Sequence, residues 1–209
     1  MNLQSDSEGV TGVITFREEE DNGALMKARE IAEFVICSLI LSTNIGLSLE
    51  DIWINGKVGD PRQDNTREVF DFARVMDNAT VQAIMEKGGL DTSAKYLAEF
   101  RKLSDREREY ATRVLKWYSK GAMENDPVDQ FIDWYLSLEI LGEYGYPTCS
   151  PTQRVRKIVA GLKGTIKIDG KRLTEFRGAL FHSGRREDEA REYCSGLGAI
   201  ILNGVREMM

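Results

Sequence analysis

Apolar and polar positions follow different rhythms in the two parts of this 209-residue chain. GVTGVITF, from Gly9 to Phe16, is short and rich in β-branched residues, which predicts a strand. Past the acidic cluster REEED, the apolar residues Ile31, Phe34, Val35, Leu39 and Leu41 recur at nearly helical spacing. That spacing predicts an amphipathic helix from about Gly23 to Thr43. LSLEDIWINGKV predicts a second strand, with a tight turn at Asn55-Gly56. The charged stretch GDPRQDNTRE reads as a loop, followed by shorter helical pieces to about Phe100, with Gly88-Gly89 as a helix stop.

From Leu103 the helical rhythm takes over. Ser104 followed by Glu107 is a capping-box signature and predicts a helix over Asp105 to Lys120. Asp126-Pro127 opens another, because proline tolerates the first turn of a helix. Its residues Phe131, Trp134, Tyr135 and Leu138 form an apolar stripe that reads as core or dimer interface rather than as a base-stacking platform. Pro147 and Pro151 break the chain before a helix from Thr152 to Leu162. GTIKIDGKR is ambiguous: its alternation suggests a small hairpin, with a turn at Asp169-Gly170. Helices around residues 173–188 and from Glu187 onward complete the pattern. The expected fold is mainly α, a mixed α/β segment over residues 1–102 preceding an antiparallel helical bundle over residues 103–209.

Composition narrows the class. With 42% hydrophobic residues the chain can bury a core. The first dozen residues lack a basic, apolar leader pattern. The longest apolar run, FVICSLIL at Phe34–Leu41, falls far short of the roughly 20 residues a membrane span needs. Cys37, Cys149 and Cys194 are scattered and form no C-x-x-C pair, so neither a disulfide framework nor a zinc site is expected. These features predict a soluble, cytoplasmic protein without a metal or other cofactor.

The net charge of −6 argues against a protein that coats nucleic acid along its whole surface. Its distribution changes the picture. Residues 1–152 carry 16 basic against 27 acidic side chains, whereas residues 153–191 carry 11 against 5. A basic segment on an acidic body permits a local phosphate-binding patch, although such a face also occurs as plain solvated surface.

Within that segment, FRGALFH places Arg177 five residues before His182, the single histidine of the chain. No G-x-x-x-x-G-K-[ST] or G-x-S-x-G element is present, and the acidic run at Glu18–Asp21 lacks a calcium-loop pattern. The R-x-x-x-x-H element, together with the upstream aromatic helix DQFIDWYLSLEIL (Asp129–Leu141), resembles the HEPN superfamily and most closely its Apea-like branch. The resemblance covers about Ser104 to Arg206, half of the chain. It implies a homodimeric helical bundle that cleaves RNA without a metal, with a role in defence or stress response.

The residue chemistry suits that expectation. Cleavage by the neighbouring 2′-hydroxyl needs a group that moves a proton and a cation that stabilises the phosphorane. An imidazole at His182 titrates near neutral pH, and Arg177 offers a fixed fork of donors to phosphate oxygens. RNA supplies the nucleophile itself, so DNA is expected to survive. On one straight helix the two positions lie about 140° apart with a rise of about 7.5 Å, which favours a composite site shared by two copies. Glu139 is placed to orient Arg177 or His182, and Arg185 and Arg186 to hold RNA backbone.

Each residue also has a plainer reading. His182 reads equally as a helix-interface histidine, Arg177 as an ion-pair partner of Glu139 or Glu175, and Glu139 as a surface glutamate. Arg185 and Arg186 stand beside Glu187, Asp188 and Glu189 and read as local ion-pair partners. Gly178 departs from the family pattern, in which the residue after the arginine is often polar. The alternative function is therefore a catalytically inactive HEPN dimer that binds RNA, a nucleotide or a protein.

Overall fold

The computed structural model describes residues 2–5, 10–17, 21–46, 51–55, 66–73, 89–161, 168–183 and 186–209. Within these, side chains are described for residues 26–27, 29–46, 91–161, 168–180 and 186–209. The chain forms two compact units, residues 1–43 with 47–97, and residues 44–46 with 98–209.

In the first unit, strands β1 (Asn2–Ser5) and β2 (Val10–Arg17) precede helix α1 (Asp21–Thr43), followed by β3 (Asp51–Asn55) and β4 (Thr66–Ala73). The strands form one antiparallel sheet in the order β1-β2-β4-β3, with Val13 opposite Phe70 and Trp53 also opposite Phe70 from the other side. Thr66–Glu68, expected in a loop, begins β4, and the helical pieces expected after it give way there to strand. The aromatic and β-branched residues Val69, Phe70 and Phe72 suit a pleated surface, and pairing on both edges outweighs the local charge. Gly56 of the expected turn lies outside the described residues.

Helix α1 buries Ala32, Val35, Ile36, Cys37, Leu39, Ile40 and Leu41. Ser38, buried among them, shares a 2.6 Å hydrogen bond with Ser93 of helix α2 (Gly89–Phe100). Gly89, expected as a helix stop, instead opens α2, where Asp91 in the first turn complements the N-terminal dipole.

The second unit is a helical bundle built from α3 (Asp105–Met123), α4 (Pro127–Gly145), α5 (Pro151–Gly161), α6 (Gly170–Ser183) and α7 (Glu187–Met208). Local chemistry sets where its helices start. Ser104 and Glu107 form the reciprocal capping box, and Asp126 Oδ1 accepts from the amides of Val128 and Asp129 ahead of Pro127. Asp169, expected in a hairpin turn, caps α6 by accepting from the amides of Lys171 and Arg172. Aspartate serves both roles, because its short side chain reaches the second or third amide beyond it. Of the rest of the expected hairpin, Gly170–Arg172 lie in α6 and residues 164–167 lie outside the described residues.

Helix α4 is the central element: α3, α5 and α7 all pack on it. Phe131, Trp134, Tyr135 and Leu138 are all buried, so the apolar stripe is core. Trp134 stacks on Tyr118 at 5.6 Å and donates its indole N–H to the Tyr118 carbonyl. Phe131 meets Phe176 of α6 edge-on at 4.8 Å and Tyr193 of α7 at 5.9 Å. One aromatic cluster thus fixes α4, α6 and α7 together. Asn44, with φ 61°, accepts from the Tyr118 hydroxyl at its carbonyl and from Arg206 at its side chain. Among the described residues no helix is long and apolar enough to cross a membrane.

Candidate functional site

The Phe131–Phe176 contact decides which way the next residues of α6 face. Beside Phe176, Arg177 carries its guanidinium over the ring of Tyr135, 5.6 Å from the centroid. Tyr135 is one turn before Glu139 on α4, and the two side chains act on each other electrostatically. Burial pushes the Tyr135 phenol up to about 12, and Glu139 adds to the rise, while Arg177 and Arg156 pull it down. Residues from α4, α5 and α6 therefore converge on one phenol.

Arg156, which the sequence reading did not single out, reaches this place from α5. Its Nε and Nη2 donate to Thr174 Oγ1 at 3.0 and 2.9 Å, and Thr174 lies one turn before Arg177. The basic run over residues 153–191 was its only signal, and that run holds 11 cations. Arg154, two residues earlier, turns the other way and donates to the carbonyls of Tyr146 and Pro147, which binds α5 to the end of α4.

Helix α6 runs unbroken through both Arg177 and His182. Going around the helix from Arg177, Thr174 lies at about 60°, Gly178 at about 100° and His182 at about 140°. Gly178 thus occupies the surface between the two candidate catalytic positions. A methyl group there would have nothing within 4 Å among the described residues, so this part of α6 is open space and not a close helix–helix approach. The imidazole of His182 and the whole of Arg185 lie outside the described residues.

Arg186 sits elsewhere. It pairs with Glu189 at 2.5 Å and stands over Phe176 at 5.7 Å. There it borders a cleft of about 630 Å³ with Asp169, Arg172, Phe176, Glu189 and Tyr193, which Arg177 and Glu139 do not line. Arg172 is itself within ion-pair distance of Asp169. Glu175 pairs with Lys171 at 3.9 Å. Glu139, half-buried, borders a smaller cleft of about 290 Å³ with Arg113, Trp117, Glu143 and Arg154.

The structure brings Tyr135, Glu139, Arg156 and Arg177 together and puts Arg186 with the acidic start of α7. Chemically, the first group offers two guanidinium forks, a carboxylate and an open helix surface. Comparisons with protein-family models, with curated proteins and with solved structures find no match for this chain.

Proposed function

We propose that this chain is a HEPN-type, metal-independent endoribonuclease of the Apea-like kind, acting in the cytoplasm as a homodimer. The observation that carries this reading is the open surface at Gly178, bordered on one unbroken helix by Arg177 and the His182 position. A phosphodiester entering there meets a guanidinium already held over an aromatic ring, so little ordering remains to be done on binding.

In this mechanism His182 takes the proton from the 2′-hydroxyl, whose oxygen attacks the adjacent phosphorus. Arg177 stabilises the charge that builds on the non-bridging oxygens of the phosphorane. The protonated His182 then gives that proton to the 5′-oxygen of the next nucleotide as it departs, leaving a 2′,3′-cyclic phosphate. The rotation of about 140° between the two positions favours a site in which one copy's arginine and the other copy's histidine work on one phosphate. Glu139 orients Arg177 through their shared neighbour Tyr135, and Arg185 extends the contact with RNA backbone. The cellular role in this reading is defence or stress response.

Incubation of the purified protein with RNA and with DNA in EDTA tests the reading. Cutting of RNA alone, ending in cyclic phosphates, is the expected result. Intact RNA that nevertheless binds a folded dimer would favour the second reading, an inactive HEPN binding module. That reading draws on Gly178, which brings no side chain to hold a substrate.

A further inference from the structure

A second cation is anchored to α6 one turn before Arg177. Helices α5 and α6 approach closely where α6 begins: a methyl group on Gly170 would stand 3.1 Å from the Arg156 Cα. From that point the Arg156 side chain reaches the Thr174 hydroxyl, one turn further along α6. Thr174 is buried, and its hydroxyl donates to the Lys171 carbonyl at 2.9 Å while accepting from Nε and Nη2 of Arg156. One donor and two lone pairs are then all in use, so the hydroxyl is saturated and holds the guanidinium in one orientation.

This anchoring satisfies two of the five guanidinium donors and none of the charge. Among the described residues no carboxylate lies within ion-pair distance of Arg156. Thr174 and Arg177, three apart on α6, have Cβ atoms about 5–6 Å from each other on neighbouring surface. Two guanidinium groups thus act on the same Tyr135 phenol, one anchored by a hydroxyl and one over the ring.

We propose that Arg156 is a second phosphate-binding residue of this site, gripping the phosphodiester next to the one that Arg177 holds. The inference rests on the reading of the α6 face as an RNA-backbone site. It assigns Arg156 to binding and leaves proton transfer to His182. Single-stranded RNA is the ligand class, because two separately anchored forks can each take a phosphate of one flexible strand.

The test measures binding apart from cleavage. A short 2′-O-methyl RNA, which lacks the nucleophilic hydroxyl, is titrated by fluorescence anisotropy over a salt series. Arg156→Gln is expected to weaken binding about tenfold at low salt, as loss of a charge-assisted contact does. It should also reduce the steepness of log K against log salt by about 0.7, the value of one single-strand phosphate contact. Arg156→Lys should restore the slope, because a point charge still neutralises a phosphate. Thr174→Val should weaken binding with the slope unchanged, since the charge stays and its aim is lost.

Equal affinity and slope for wild type and Arg156→Gln would overturn the inference, even where wild type cuts ordinary RNA. A reduced slope in a protein that cuts no RNA would uphold the phosphate grip and sink the nuclease reading. No binding by wild type would overturn both. Should Arg156→Gln melt below the assay temperature, Thr174→Val decides the matter, and unaltered affinity in that variant overturns the inference.

Discussion

The guanidinium of Arg177 stands 5.6 Å from the centre of the Tyr135 ring, across the boundary between α6 and α4. Because Tyr135 is 3% exposed, its ring is a fixed platform, and a cation resting on it loses less freedom when a phosphate arrives. The phenol oxygen and the ring therefore have separable duties.

Tyr135→Phe keeps the ring under Arg177 and is expected to keep stability within about 1 kcal/mol, with RNA binding nearly intact. Tyr135→Ala removes a buried aromatic ring and should cost about 3–5 kcal/mol, with weakened binding as Arg177 loses its support. Chemical denaturation of both variants, paired with RNA titration, separates the two duties.

Alkaline pH should loosen the helical unit. Burial raises the Cys194 thiol from its ordinary value to about 12, and it raises the Tyr118 and Tyr135 phenols to about 12 as well. A group with a raised folded-state pKa adds stability in full below its unfolded pKa, and that stability is lost as pH climbs through the folded pKa. The thermal midpoint should hold up to about pH 9, where an unfolded cysteine begins to ionise, and fall progressively towards about pH 12. Cys194→Ala should move the onset of that fall upward, towards the tyrosine range.

Two glycines on neighbouring helices should respond oppositely to alanine. At Gly178 the added methyl meets nothing within 4 Å among the described residues, so Gly178→Ala should stabilise α6 by about 1 kcal/mol. At Gly142 it would stand 2.6 Å from the Arg154 Cβ and 3.1 Å from the Arg154 carbonyl carbon, so Gly142→Ala should force α4 and α5 apart. A loss of about 1–3 kcal/mol is expected there. Urea midpoints of the two variants check both signs.

The parts of the fold that local chemistry governs were legible in the sequence. Ser104 with Glu107 and Asp126 with Pro127 satisfy amides within three residues, so their helix starts needed no tertiary knowledge. The stripe of Phe131, Trp134, Tyr135 and Leu138 was equally plain, since helical spacing alone puts it on one face. Strand β4 was hidden, because its two faces, Thr66-Glu68-Phe70-Phe72 and Arg67-Val69-Asp71-Ala73, mix charge with apolar residues. Its identity depends on pairing with β2, some 50 residues away in sequence. Arg156 was hidden for a similar reason. Its role follows from the approach of α5 to Gly170 and from Thr174, and neither is written in the residues around it. Arg177 and Glu139 stood out as candidates, but their common neighbour Tyr135 read only as core.

Cleavage by the proposed mechanism turns on one proton and one cation. Wild type, His182→Ala and Arg177→Ala should be compared on a labelled RNA in EDTA, with the melting temperature of each recorded. Wild type should cleave and leave 2′,3′-cyclic phosphate ends, with losses of about 10²-fold or more in each folded variant. Undiminished cleavage by folded His182→Ala, or equal cutting of a matching DNA strand, would contradict that mechanism.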